Sequence, residues 1–246
     1  MNTHASPRSR ERLAHGQTMS LTSDLVALCH RHVPEPPRNP DLVRFTDADY
    51  DKAAAEVLAR LGDDPIWVFA YGSLVWKPAG DIAEQRLGTA FGWHRSFCIE
   101  MRSWRGSPEQ PGLMMALRQG GSCTGVAQRP LGDDRHEMMV KLLRREIGGP
   151  MGYAALRLID IHADDGPRRA LCFYAEPPEV ADRPELPIEK VASILARACG
   201  HVGSGAEYLF RTVEALQAVG IHDPHLWQLQ HLVANEIRTI HLGRTG

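Results

Sequence analysis

An apolar run that stops on a flexible pair is the first place where this chain could do chemistry. In Phe69-Ala70-Tyr71-Gly72-Ser73-Leu74 a hydrophobic segment ends at Gly-Ser, which lets the backbone turn sharply and aim successive N–H groups at one point. Such a nest suits a carboxylate or a phosphate. From these residues alone, a plain strand end with a tight turn is the simpler reading. Glu146 is the second place. Met138, Met139, Val140, Leu142, Leu143 and Ile147 give the stretch 133–147 a helical apolar face, and Glu146 stands seven residues after Met139, four after Leu142 and three after Leu143. That spacing puts a carboxylate on the buried face, in the last helical turn, where the helix dipole disfavours negative charge. Both effects raise its pKa, as a general base working near neutrality requires. Position alone serves equally well for a structural ion pair with Arg95, Arg102 or Arg118, or for simple exposure at a frayed helix end. Glu137, near the start of the same helix, reads as a dipole-friendly surface charge.

Other candidates carry weaker signals. Arg95, Arg102 and Arg105 lie around Trp93 and Trp104 and suit an anionic ligand, although surface charge lying over aromatic rings is the commoner arrangement. His222, His225, His231 and His241 lack any H-E-x-x-H or facing Cys pattern, which argues against zinc. Ser73 is followed by Leu74 and Val75, not by the second glycine of a nucleophile elbow. The five cysteines (Cys29, Cys98, Cys123, Cys172, Cys199) are scattered without C-x-x-C spacing, so they read as reduced thiols of a cytoplasmic protein; those at 98, 123 and 172 fall in expected strands as small hydrophobes.

These residues must be positioned by elements that the pattern also indicates. A helix is expected over 21–32, then an extended Pro-rich linker over 33–40. Thr46 reads as the N-cap of an amphipathic helix closed by Gly62. Strands are expected over 66–71, 86–100, 113–118, 123–129, 153–162 and 168–175, with Gly120-Gly121 as punctuation and Asp164-Asp165-Gly166 as a hairpin turn. After the helix over 133–147, three more follow over 187–199, 204–219 and 223–240, the last opened by Asp223-Pro224. Strands in the middle with helices on the flanks, and no βαβ alternation, indicate an α+β fold: a mostly antiparallel sheet or small β-barrel flanked by helices. The 246 residues divide into a mobile tail over 1–18, with Met19 as an alternative start, N-terminal helices and linker over 19–65, and a catalytic domain over 66–246. With 28 Lys and Arg against 30 Asp and Glu, a net charge of −2 offers no excess for phosphate neutralisation, so nucleic acid is disfavoured as a partner. No apolar stretch is long enough to span a membrane, and no secretory h-region follows the N-terminal arginines.

Taken together, four ordered blocks resemble the ChaC-type γ-glutamylcyclotransferases, which act on glutathione. They are Trp67-Val68-Phe69-Ala70-Tyr71-Gly72-Ser73-Leu74-Val75-Trp76, then Pro108-Glu109-Gln110-Pro111-Gly112-Leu113 with Gly125-Val126-Ala127, then Arg144-Arg145-Glu146, and Glu207-Tyr208-Leu209-Phe210 behind Gly203-Ser204-Gly205. The likeness covers roughly 66–237. It departs from the family pattern at Gly205, where a polar residue is usual, and by two extra residues between Gly149 and Tyr153. The resemblance implies an intramolecular aminolysis releasing 5-oxoproline and cysteinylglycine, with Glu146 as general base and acid. It also implies a substrate loop over Phe69, Ala70, Tyr71, Gly72, Ser73 and Leu74, and contacts from Arg95 and Tyr153 to the peptide portion. No metal, nucleotide or redox cofactor is needed; glutathione is the expected small-molecule partner. Two alternatives stand beside it: a cyclotransferase for other γ-glutamyl amines or amino acids, and a non-catalytic regulator that binds a small acidic ligand or a membrane transporter.

Overall fold

A computed structural model describes residues 18–37 and 39–243; the expected mobile tail falls, but for Thr18, outside the described residues. The elements in chain order are α1 (Ser23–Leu28), α2 (Asp47–Leu61), β1 (Val68–Ala70), α3 (Ser73–Trp76), β2 (Ile82–Met101), β3 (Gly112–Pro130), α4 (Arg135–Glu146), α5 (Pro150–Ala154), β4 (Arg157–Ala163) and β5 (Gly166–Cys172). Then come α6 (Pro178–Ala181), α7 (Ile188–Arg197), the two-residue strands β6 (Cys199–Gly200) and β7 (Gly203–Ser204), α8 (Gly205–Ala218) and α9 (Pro224–His241).

β1 to β5 close into a barrel in the order β1-β3-β2-β4-β5. All neighbours are antiparallel except β1 and β5, whose parallel pairing at Val68 and Leu171 seals it. The expected small barrel is therefore what forms. Its largest component is the β2–β3 ribbon, where the expected break at Gly120-Gly121 does not occur. Both glycines sit at positive φ (105° and 69°) opposite Gly92, and the register shifts between Phe91 and Trp93. The glycines make a bulge that bends a continuous ribbon, so two expected strands are one. The Asp164-Asp165-Gly166 hairpin forms as expected, pairing Ala163 with Gly166. Tyr153 is not in a strand. Pro150 opens a one-turn helix there, at the position where its missing N–H costs nothing.

Closure leaves almost no room where β1 crosses β3. A Cβ on Gly125 would stand 2.6 Å from the Ala70 carbonyl and 2.8 Å from the Phe69 ring. Gly125→Ala must push β1 outward, and its expected effect is a loss of about 2 kcal/mol, read as a lower urea midpoint at unchanged slope.

The helical layer and the N-terminal segment pack onto one shared core. Leu21 just before α1, Leu25 within it, and Tyr50, Ala54 and Val57 of α2 belong to the same cluster as Phe69, Leu143 and Leu209. Residues 19–65 are thus built into the body they precede. Thr46 forms a full capping box with Asp49, and Asp134 caps α4 through the amides of His136 and Glu137 at 2.9 and 3.0 Å. Among the described residues, no helix is long and apolar enough to cross a membrane.

Candidate active site

The Tyr71–Leu74 turn presents donors only. Its carbonyls are all engaged: Tyr71 O by Arg95 Nε at 2.7 Å, Gly72 O by the Val75 amide at 3.0 Å and Ser73 O by the Lys77 amide at 2.8 Å, and Leu74 O by Gln128 Nε2 at 3.1 Å. Its amides are not. Those of Gly72 and Leu74 have no acceptor among the described residues, and that of Ser73 faces the Tyr208 hydroxyl. Removing every local acceptor while leaving N–H groups available makes a concavity that favours an anion or a polarised carbonyl oxygen. A Cβ on Gly72 would meet Tyr208 Oη at 3.1 Å, so a larger residue there would have to displace that hydroxyl by a few tenths of an ångström.

Glu146 is the last residue of α4, and its side chain is only 14% exposed. Burial raises its pKa above the usual 4.5, against the opposing pull of Arg145 and Lys77. The expected ion pairs with Arg95, Arg102 or Arg118 do not form. Arg102 binds Glu100, and Arg118 donates to the carbonyls of Ala181 and Arg183. Glu146 pairs with its neighbour Arg145 at 3.0 Å. The same guanidinium reaches the carbonyls of Lys77 and Pro78, and so ties the carboxylate to the chain that leaves the turn. Two tyrosine hydroxyls satisfy the carbonyls at this helix end: Tyr174 donates to Glu146 O at 2.9 Å and Tyr50 to Ile147 O at 2.7 Å.

Tyr174 and Tyr208 complete the cluster. Burial, reinforced by the Glu146 charge, pushes the Tyr174 phenol up to about 12. Tyr208 also rises to about 12: burial dominates, Arg105 opposes it, Glu146 adds to it, and Ser73 opposes it. Both phenols are therefore neutral donors at physiological pH. They bracket the carboxylate and the turn.

Of the residues singled out from sequence, Glu146, Gly72, Ser73 and the backbone of Tyr71 and Leu74 come together. Phe69 and Ala70 have no exposed surface; their side chains face the core and support the turn from beneath. The Tyr71 side chain is buried, its hydroxyl donating to Phe173 O at 2.9 Å. The Arg95 side chain is 3% exposed, and its Nε, Nη1 and Nη2 donate to Tyr71 O, to Asp223 Oδ2 at 2.8 Å and to Thr124 O at 2.5 Å, so it holds the turn from behind. The Tyr153 hydroxyl donates to Glu56 Oε2 at 2.8 Å and its ring packs on Phe45. Tyr174 and Arg145 were not singled out as site residues. Tyr208 was visible only as part of a sequence block, although a tyrosine on the buried face of a helix is a signal that its hydroxyl has a polar partner.

The cysteines and histidines singled out from sequence lie in other surroundings. Burial lifts the Cys98 and Cys123 thiols to about 11, so both stay protonated. His222 stacks on Trp227, and His231 bonds Ser20 and Asn235. Among the described residues, no three His, Cys, Asp or Glu side chains gather to hold a metal ion. A separate depression of about 160 Å³, lined by Pro65, Arg129, Arg135 and Met138 among others, contains no acid or nucleophile.

Comparison with known proteins bears on this cluster. The profile of the ChaC-like protein family matches residues 66–236. The chain is 34% identical over 174 residues to the glutathione-specific gamma-glutamylcyclotransferase of Escherichia coli (strain K12), covering 70% of this chain and 74% of that protein. It is 30% identical over 184 residues to glutathione-specific gamma-glutamylcyclotransferase 1 of Danio rerio, covering 73% and 94%. Among solved structures, the yeast gamma-glutamyl cyclotransferase specific to glutathione superposes with a TM-score of 0.58 at 21% identity, over 70% of this chain and 96% of that one. At that identity the likeness speaks for the fold alone.

Proposed function

The chain belongs to the ChaC-like protein family, and from that premise we propose that it is a glutathione-specific γ-glutamylcyclotransferase in which Glu146 is general base and then general acid. The observation that supports the reading best is the pairing of a desolvated, ionisable carboxylate with a turn that offers only donors, joined through Arg145 and Tyr208.

Cyclisation needs a curled substrate. The α-amine of the γ-glutamyl group attacks its own δ-carbonyl, the bond from that carbon to the cysteine nitrogen breaks, and 5-oxoproline and cysteinylglycine separate with no atom gained or lost. The nucleophile is already tethered, so holding it folded against the carbonyl yields most of the advantage of an intramolecular reaction. Amides of Gly72 and Leu74 bind the α-carboxylate or the developing oxyanion. Glu146 takes a proton from the attacking nitrogen and returns it to the departing one, which one carboxylate can do in sequence when burial lifts its pKa. The neutral phenols of Tyr174 and Tyr208 keep that carboxylate from being met by a second negative charge.

We assign the protein to the cytoplasm. All five cysteines are free thiols, the state that a reducing compartment maintains. Incubation of purified protein with glutathione should yield 5-oxoproline and cysteinylglycine in equal amounts. Parallel assays with γ-glutamyl-alanine and γ-glutamyl-lysine isomers separate glutathione from other γ-glutamyl substrates, and saturable binding without product over hours would favour a ligand-binding regulator.

A further inference from the structure

We infer that Arg105 and Arg211, stacked against Trp76 and sharing the single carboxylate of Glu207, form the seat for the C-terminal carboxylate of the peptide substrate. The inference rests on the γ-glutamyl reading above for what lies at the other end of the site.

Charge is the first argument. Arg105 Nη1 meets Glu207 Oε2 at 2.8 Å, and Arg211 Nη2 meets Glu207 Oε1 at 2.9 Å. Two guanidinium groups against one carboxylate leave one positive charge uncompensated within the cluster. A purely structural pair would need only one of the arginines, and an exposed second one on the same helix adds little to stability. Glu207 orients both cations and keeps their remaining N–H groups available for a planar acceptor, which arginine binds with two parallel hydrogen bonds.

Position is the second argument. Arg105 lies over the Trp76 ring at 5.9 Å and over the Tyr208 ring at 5.5 Å, and Arg211 over Trp76 at 5.5 Å. Trp76 is held by its Nε1 bond to Thr212 Oγ1 at 3.2 Å, and Arg105 by a further bond to Ser204 O at 2.9 Å. Tyr208 spans the interval: its hydroxyl end stands at Gly72 and Ser73, and its ring lies under Arg105. The surplus charge thus begins about one tyrosine ring from the amide cradle. A Cys-Gly tail extends at most about 7 Å, a matching reach. Arg211 stands 52% exposed at the mouth of this cluster, and Arg105 lies deeper, at 15%.

The seat predicts discrimination between glutathione and its C-terminal carboxamide, which lacks the charge and one of the two acceptor oxygens. Wild-type kcat/KM should favour the acid by about tenfold, the scale of one charge-assisted hydrogen bond. In Arg211→Gln, where a half-exposed side chain is replaced without demand on the core, the acid-to-amide ratio should collapse toward unity through KM. A ratio unchanged by the substitution overturns the seat, as does a wild type indifferent to the carboxamide. Calorimetric binding of both peptides to Glu146→Gln and to Glu146→Gln/Arg211→Gln reads the same difference without turnover. If the wild type forms no product from either peptide, the cyclotransferase reading falls, while the binding ratio still decides the seat.

Discussion

Replacing Glu146 by Gln is expected to lower glutathione turnover by about a thousandfold, the middle of the range for a general acid–base group, while making the protein more stable at neutral pH. The two effects have one cause. Burial raises the folded-state pKa of Glu146 above its ordinary value, so the folded protein holds this proton more tightly than the unfolded chain does. Stability from this group is fully present below the unfolded pKa and is lost as pH rises through the folded one. At pH 7 the wild type carries an ionised, partly desolvated carboxylate that Gln lacks. The melting temperature of Glu146→Gln should therefore exceed that of the wild type at neutral pH, and the difference should shrink on acidification. The activity of the wild type must run the opposite way: kcat/KM climbs with pH as the base ionises, with a midpoint above 4.5, and the variant shows no such limb. Glu146→Gln retaining full release of cysteinylglycine would remove the catalytic role. A variant that is inactive but also destabilised would point to a structural one, since Gln fills the same volume beside Arg145.

That carboxylate was legible in the sequence because helical periodicity is a local rule. Counting from Met139, Leu142 and Leu143 puts Glu146 on the buried face, and its side chain is in fact almost covered. Turn chemistry was equally readable at Asp164-Asp165-Gly166, where a short-range backbone preference sets the hairpin. The features that escaped depend on partners far along the chain. Nothing near Arg95 says that it will meet Tyr71, Thr124 and Asp223, residues up to 128 positions away, so its hold on the turn from behind was not readable locally. Tyr174 takes its place from a left-handed backbone at φ 55°, which side-chain patterning does not encode. Gly120-Gly121 illustrates the limit of punctuation: two glycines can end a strand or bend it, and only the long pairing of β2 with β3 decides between them. Likewise α3 is a single turn, too short for periodicity to register, yet it carries the amides on which the proposed chemistry depends.

Arg95→Leu is expected to have the largest effect on stability, a loss of about 3 kcal/mol, together with a marked fall in turnover through the turn that Arg95 holds. The side chain is almost wholly buried and makes three hydrogen bonds, one of them to a carboxylate. Leu fills similar space but leaves the Tyr71 carbonyl without its donor, which costs about 1–3 kcal/mol for a buried polar group. Asp223 also loses its cation. Its penalty is moderated because it is 19% exposed and still caps α9 through the Leu226 amide at 3.0 Å, which holds the total near the low end for a broken buried pair. The functional loss follows from the released carbonyl. Tyr71 O can rotate toward the neighbouring amides, and the turn then presents an acceptor where the substrate needs only donors. Urea unfolding reads the first effect as a lower midpoint, and steady-state kinetics the second as a raised KM with a lowered kcat. Asp223→Asn separates the two contributions. It removes the ion pair but leaves Arg95 on Tyr71 O, so it should lose stability while keeping most of the turnover. The double variant should show strong coupling between the two sites. Arg95→Leu within about 0.5 kcal/mol of the wild type, the range of ordinary surface changes, with kinetics unaltered, would mean that the turn keeps its shape without the guanidinium.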